Sequence, residues 1–254
     1  MSTLPRFATD LANSILKFFD AKLVSGKVTS VSAHPDSPEL VHQRVFPWAT
    51  YSPWLSDPEF ASCYEQVRSH TLVDIYRCYE LWTLARQLVA IEGDFLEVGV
   101  WRGGTGCLIC EAARDSGKTV YLADTFSGVV KAGQWDPVYT GGEHADTSEE
   151  TVRHLIGKLG LRNAVTLKGI FPEDTAGQVP GALALVHCDV DVYSSARDVV
   201  EWAIPRLSTH GVVVFDDYGF EHCQGVTTLV NELRRDRRFL FLHNLNGHAI
   251  LIRK

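Results

Sequence analysis

Phe95-Leu96-Glu97-Val98-Gly99-Val100-Trp101-Arg102-Gly103-Gly104-Thr105-Gly106 is the stretch on which the fold is decided. An apolar run of strand length passes into a glycine-rich turn, and a helical pattern follows to about Arg114. A strand, a glycine turn and a helix in this order open a βαβ unit. The glycines permit a tight turn and let backbone approach a ligand closely. Their spacing is not the dinucleotide fingerprint, because three non-glycine residues follow Gly99, and no Gly-Lys-Ser/Thr of a phosphate loop follows either. With no pyrophosphate to cradle, the acidic Glu97 beside the turn suits a ligand that carries positive charge. S-adenosylmethionine, with its ammonium and sulfonium, is such a ligand.

The alternation continues on both sides of this unit. Upstream, Asp74 to about Ile91 reads as a helix, with Ile75, Leu81, Leu84, Leu88 and Ile91 near one face and Gly93 as its stop. Downstream, Val120 to Asp124 is a second strand, and residues 127–148 form a long loop punctuated by glycine. Thr147 or Ser148 caps a helix from Glu149 to Leu159, and Val165 to Lys168 is a third strand. Ala182 to Val186 is a fourth, apolar on both faces as a central parallel strand should be. A helix from about Ser195 to Leu207, a fifth strand from Gly211 to Phe215 and a helix from about Gly225 to Arg235 follow. Phe239 to Leu242 and Ala249 to Ile252 end the chain as a hairpin around Asn246-Gly247. The expected fold is α/β: a doubly wound, Rossmann-like sheet, mostly parallel with a C-terminal antiparallel hairpin, plus an N-terminal helical and lid extension. The expected division is 1–70 for the extension, carrying oligomer contacts and acceptor recognition, and 71–254 for the sheet domain.

The extension is less regular. Leu11, Ile15, Phe18, Phe19 and Leu23 repeat with helical spacing, which suits a helix packed on its own domain or a dimer interface. Phe46-Pro47-Trp48-Ala49-Thr50-Tyr51-Ser52-Pro53-Trp54 is broken by proline and rich in aromatics, as a pocket lid or a core cover would be.

Composition narrows the partners. The formal net charge of −7 opposes binding to a nucleic-acid backbone or an anionic membrane. Arg234-Arg235-Asp236-Arg237-Arg238 reads as the polar end of a helix. There is no apolar run of about 18 residues for a membrane span, and no secretory pattern at the N-terminus. Cys63, Cys78, Cys107, Cys110, Cys188 and Cys223 are scattered, as reduced thiols of a cytoplasmic protein are. The Cys107/Cys110 spacing suits small core residues of one helix face.

Carboxylates cluster where the strands end. Asp124 ends the second strand, where an acid accepts hydrogen bonds from ribose hydroxyls or orders a loop. Ile170 or Phe171, after the third strand, would pack on an adenine. The fourth strand ends in His187-Cys188-Asp189-Val190-Asp191-Val192-Tyr193 and the fifth in Asp216-Asp217-Tyr218-Gly219. Neighbouring parallel strands would bring four carboxylates into one cleft, where like charges repel and raise their pKa values. A hard divalent cation such as Mg2+ removes that conflict, with Asp189, Asp216 and Asp217 as ligands. Asp191 falls on the same side as Asp189, as an acid behind the ligands or a general base, with His187 as a rival base. Asp198 reads as a solvated or capping acid.

Taken in order, Phe95–Gly104, Asp124-Thr125-Phe126-Ser127-Gly128, His187–Tyr193 and Phe215–Gly219 resemble the macrocin O-methyltransferase family, from about residue 45 to the C-terminus. The resemblance implies methylation of a hydroxyl, typically on the deoxysugar of a glycosylated natural product such as a macrolide or aminocoumarin in antibiotic biosynthesis. It implies Mg2+ at Asp189, Asp216 and Asp217, with Asp191 as proton acceptor. It places the methyl donor at Glu97, Gly99, Val100, Asp124 and Ser127, with the segment around Thr71 and Leu72 closing over it. A homodimer or larger homo-oligomer is the implied assembly. Two other readings remain at this point: a catechol-type phenolic O-methyltransferase and a non-catalytic nucleoside-binding module.

Overall fold

The computed structural model describes Ser14 and residues 31–34, 37–43, 49–179 and 181–254. The chain forms two compact units, 1–48 and 49–254. In the first, β1 (Val31–His34) pairs antiparallel with β2 (Ser37–Gln43). The helix expected over residues 7–23 lies outside the described residues, apart from the helical Ser14.

The second unit is built on a sheet of seven strands. These are β3 (Asp94–Val98), β4 (Val120–Asp124), β5 (Ala164–Lys168), β6 (Leu183–Cys188), β7 (Leu207–Phe215), β8 (Phe239–His243) and β9 (Ala249–Arg253). Their order is β5-β4-β3-β6-β7-β9-β8. The first five strands are parallel, and β9 runs antiparallel to both β7 and β8, as the Asn246-Gly247 turn foretells. The helices are α1 (Pro58–Val67), α2 (Ile75–Leu88), α3 (Gly104–Ala112), α4 (Glu149–Leu159), α5 (Tyr193–Ala203) and α6 (Gln224–Leu233).

Two cores cover the two faces of this sheet. Along β3, Phe95 joins the core that holds Phe60 of α1, Leu81 and Trp82 of α2, and Leu108 of α3. Leu96 and Val98 join the other, with Val199 and Val200 of α5 and Leu229 of α6. Successive strand residues face opposite sides, so a strand buried on both must be apolar almost throughout, as β6 is. Each fully buried Leu or Phe contributes about 1.5–3 kcal/mol.

Local signals set the helix ends. Asp57, Asp74 and Ser148 cap α1, α2 and α4 with side-chain oxygens. α5 ends at Ala203 and not at Leu207, because Pro205 lacks the N–H that would continue it; a 3-10 turn, Ile204–Arg206, follows. β7 starts four residues before Gly211, since Leu207 still pairs with Leu183. Residues 49–70 pack on the sheet unit: Phe60, Cys63 and Val67 of α1 lie in the same core as Phe95. All six cysteines are free and buried, Cys107 and Cys110 among the apolar residues of α3. Among the described residues no helix is long and apolar enough to cross a membrane.

Candidate active site

β3 and β6 lie side by side, and the chain winds outward from them in opposite directions. Their carboxyl ends therefore splay, which opens a crevice at the switch of strand order. Asp189 N–H donates to Val98 O at 2.9 Å, and Asp216 N–H to Cys188 O at 3.0 Å, so the three strand ends stand in a row. Gly99 sits between them at φ 91°, and a Cβ there would overlap the carbonyl of Asp189. A cavity of about 320 Å³ opens over this row. Gly99, Val100, Asp124, Ile170 and Phe171 line it together with Asp189, Asp191, Asp216 and Asp217. Thr71 and Leu72 also line it. They are carried there because the backbone of His70 rests on Gly104, where a Cβ would come within 2.6 Å of the His70 carbonyl oxygen.

Two residues assigned from sequence to the same ligand are not on the cavity wall. Ser127 is exposed, its N–H donating to Thr125 Oγ1 at 3.1 Å. Glu97 is fully buried beneath the start of α3. Asp124 lines the cavity and also orders the turn. Its Oδ2 accepts from the N–H groups of Val100 and Trp101 at 2.7 and 2.8 Å, and its Oδ1 from Phe126 N–H at 2.6 Å.

The aspartates converge as their topology implies. One ligand oxygen each from Asp189, Asp216 and Asp217 lies within 4.8 Å of the others. Burial, then the charges of Asp216 and Asp217, push Asp189 well above the usual carboxylate range; burial, Asp216 and Asp191 do the same to Asp217. Asp216 goes the other way. Burial opposes its charge, but His187, His248 and Arg77 hold its carboxyl well below that range. His248 Nε2 is 2.7 Å from Asp216 Oδ1, and Arg77 donates from Nη1 to Asp216 Oδ2. Burial likewise opposes charge on His187, yet Asp216 and Glu97 raise it to about 9.

A charge count tests whether a cation fits. Among the described residues, Arg77 is the one arginine or lysine that is ion-paired to the aspartate row, and it is shared between Asp74 and Asp216. Asp189, Asp191 and Asp217 line the same cleft and have no ion-pair partner among the described residues, and Asp217 Oδ2 is buried without a hydrogen-bond partner. Oxygen-only donors with that surplus fit a hard divalent ion. Asp191 and Asp217 are held at φ 63° and 65°, a left-handed conformation that costs non-glycine residues on the order of 1–3 kcal/mol and concentrates at functional sites.

Sequence reasoning missed four residues here. Arg77 and His248 reach Asp216 from α2 and from the turn before β9. Tyr139 and His144 line the cavity from the loop over residues 127–148. Tyr139 donates its hydroxyl to Asp191 Oδ1 at 2.7 Å. The loop is fastened by buried Asp136, whose Oδ1 accepts from the Tyr193 N–H that begins α5, at 2.9 Å, and whose Oδ2 accepts from Gly133 N–H at 3.1 Å. An aromatic hydroxyl three residues after an acid in a glycine-rich loop was the only signal available.

The Macrocin-O-methyltransferase (TylF) family model matches residues 65–252. The chain is 32% identical over 170 residues to the 8-demethyl-8-(2,3-dimethoxy-alpha-L-rhamnosyl)-tetracenomycin-C 4'-O-methyltransferase of Streptomyces olivaceus, a match covering 61% of this chain and 65% of that protein. It is 33% identical over 175 residues to the mycinamicin III 3''-O-methyltransferase of Micromonospora griseorubida, covering 61% and 68%. The chain thus spans about two thirds of the length of these curated relatives. Among solved structures, the O-methyltransferase NovP superposes with a TM-score of 0.64 at 27% identity, over 73% of this chain and 82% of its own. The calicheamicin methyltransferase CalS11 has a TM-score of 0.59 at 15% identity, over 82% and 99%, which is a likeness of fold. The family match runs from α1 through the glycine turn and the aspartate row into β9, and the chain belongs to the macrocin O-methyltransferase family.

Proposed function

We propose that this chain transfers a methyl group from S-adenosylmethionine to a hydroxyl on the sugar of a glycosylated natural product, with a divalent cation held by Asp189, Asp216 and Asp217. The observation that carries the reading is the convergence of those three carboxylates in a cavity that Asp191 and the glycine turn also line. The relatives named above act on rhamnosylated tetracenomycin and on mycinamicin III, which supports a sugar acceptor.

In this reading the donor lies along Gly99, Val100 and Asp124, with Ile170 and Phe171 against its adenine and Thr71 and Leu72 above it. A divalent ion held by Asp189, Asp216 and Asp217 would supply a positive charge that lowers the pKa of the acceptor hydroxyl, which matters for an aliphatic alcohol far more than for a phenol. Asp191 takes the proton as the hydroxyl oxygen bonds to the methyl carbon. The electron pair of the broken carbon–sulfur bond stays on sulfur, so the sulfonium becomes a neutral thioether. Tyr139 holds Asp191 by its Oδ1 throughout.

The test is transfer of labelled methyl to a panel of rhamnosylated and deoxysugar-bearing polyketides, an aminocoumarin glycoside and simple catechols, with Mg2+ and with excess chelator. Methylation of a glycoside, abolished by chelation, is the expected result. Preference for catechols would overturn the sugar assignment, and full activity in chelator would overturn the metal.

A further inference from the structure

Glu97 is the residue whose sequence assignment and structural position part most clearly. It sits on β3 in register with His187 on β6, and His187 is in register with Val214 on β7, two residues before Asp216. Partners in register share a face of the sheet, as do residues two apart on one strand. Glu97, His187 and Asp216 therefore line up on one face across three strands. Glu97 and His187 are both 0% exposed. Glu97 Oε1 accepts from His187 Nδ1 at 2.8 Å. The far nitrogen of the ring, Nε2, lies 3.9 Å from Asp216 Oδ1 and has no hydrogen-bond partner among the described residues. Glu97 Oε2 is closed off by α3, since a Cβ on Gly106 would overlap it. No face of this carboxyl is open to the cavity. A parallel arrangement reaches the same aspartate: Glu80 Oε2 is 2.6 Å from His248 Nδ1, whose Nε2 is 2.7 Å from Asp216 Oδ1.

We propose that Glu97 is a positioning residue of the aspartate cluster and not a contact of the methyl donor. It fixes the tautomer and orientation of His187, whose Nε2 edge stands 3.9 Å from Asp216 Oδ1 and bounds the space in which that carboxylate can turn, while His248 and Arg77 make its direct hydrogen bonds. A carboxylate behind a histidine commonly orients metal-binding groups in this way. Here the histidine stands one step further back, behind an aspartate. The inference rests on the divalent-cation reading given under Proposed function.

The experiment measures two affinities on the full chain by calorimetry: Mn2+ as the metal probe and S-adenosylhomocysteine as the donor-site probe. Glu97→Gln and His187→Asn should each weaken Mn2+ binding about 10- to 100-fold. Each should leave S-adenosylhomocysteine binding within roughly twofold, which also reports a folded site. The double variant should be no worse than the weaker single within roughly twofold, because both changes cut one linkage. Where Glu97→Gln fails to fold, His187→Asn carries the same comparison with Glu97 in place. Loss of S-adenosylhomocysteine binding with Mn2+ affinity intact would overturn the proposal and return Glu97 to the donor. Unchanged affinities, or equal loss of both in a folded variant, would overturn it too. If the unaltered chain binds S-adenosylhomocysteine but no Mn2+, the metal reading falls and this inference with it; a reversed pattern in the variants alone sinks only the inference.

Discussion

Arg77 and Asp216 stand 139 positions apart in sequence and form a buried ion pair, the guanidinium Nη1 donating to Asp216 Oδ2. Arg77 also donates from Nε to Asp74 Oδ2 at 2.9 Å, and Asp74 caps the helix that carries Arg77. One side chain thus ties the segment bearing Thr71 and Leu72 to the aspartate row.

Arg77→Met should be strongly destabilising, because it strips the counter-charge from a carboxylate that is 3% exposed. Breaking a buried pair on one side costs about 3–5 kcal/mol. Urea denaturation of the variant against the unaltered chain measures it. Saturating Mn2+ should recover part of the loss, since a bound cation stabilises the folded state alone. A change below about 1 kcal/mol would show that the pair is not buried in solution.

Gly99→Ala should weaken binding at the glycine turn. The position needs φ 91° and has no room for a Cβ beside the Asp189 carbonyl. Moving that carbonyl displaces β3 and β6 where they meet. S-adenosylhomocysteine affinity should fall on the order of tenfold or more, the equivalent of about 1.4 kcal/mol, with a lowered Tm in the same preparation.

Asp136→Ala should loosen the loop over residues 127–148 without unfolding the sheet. It removes a capping carboxylate from the start of α5, worth about 0.5–2 kcal/mol. Hydrogen exchange should speed up from Gly133 to Tyr139 and stay unchanged in β3 and β6. Tyr139→Phe, which keeps the ring and removes only the hydroxyl, should lower kcat on the order of tenfold, the value of one hydrogen bond to a charged group. KM for the donor should stay constant.

The cysteines should be inert in the native state. Burial pushes the Cys63 thiol up to about 12, against an ordinary value of 9.0. Cys110 and Cys188 are raised by burial as well. A disulfide reagent at pH 8 should label none of the six until urea unfolds the chain. The sign for stability follows. The folded state keeps the Cys63 proton where the unfolded chain has lost it, so this contribution is full below about pH 9 and is lost as pH climbs from there toward 12.

The sequence alone determined the sheet and the glycine turn. Ala182 to Val186 had to be central because no polar residue interrupts it, and Ser148 and Asn246-Gly247 marked a helix start and a hairpin by local chemistry. It also determined that Asp189, Asp216 and Asp217 meet, since adjacent parallel strands end together. These follow from period, propensity and topology, which act over a few residues or through strand order. Which groups complete the aspartate row depended on the tertiary structure. Arg77 arrives from a helix, His248 from a turn before the last strand and Tyr139 from a loop with no periodic pattern. Glu97 is the sharpest case. The sequence places it beside the glycine turn; that its carboxyl is fully buried against α3 and bonded to His187 follows from strand pleat and cross-strand register. A sequence states which residues neighbour a turn; only the packed sheet decides which face each one serves, because burial of a carboxylate is settled by the partners that neutralise it.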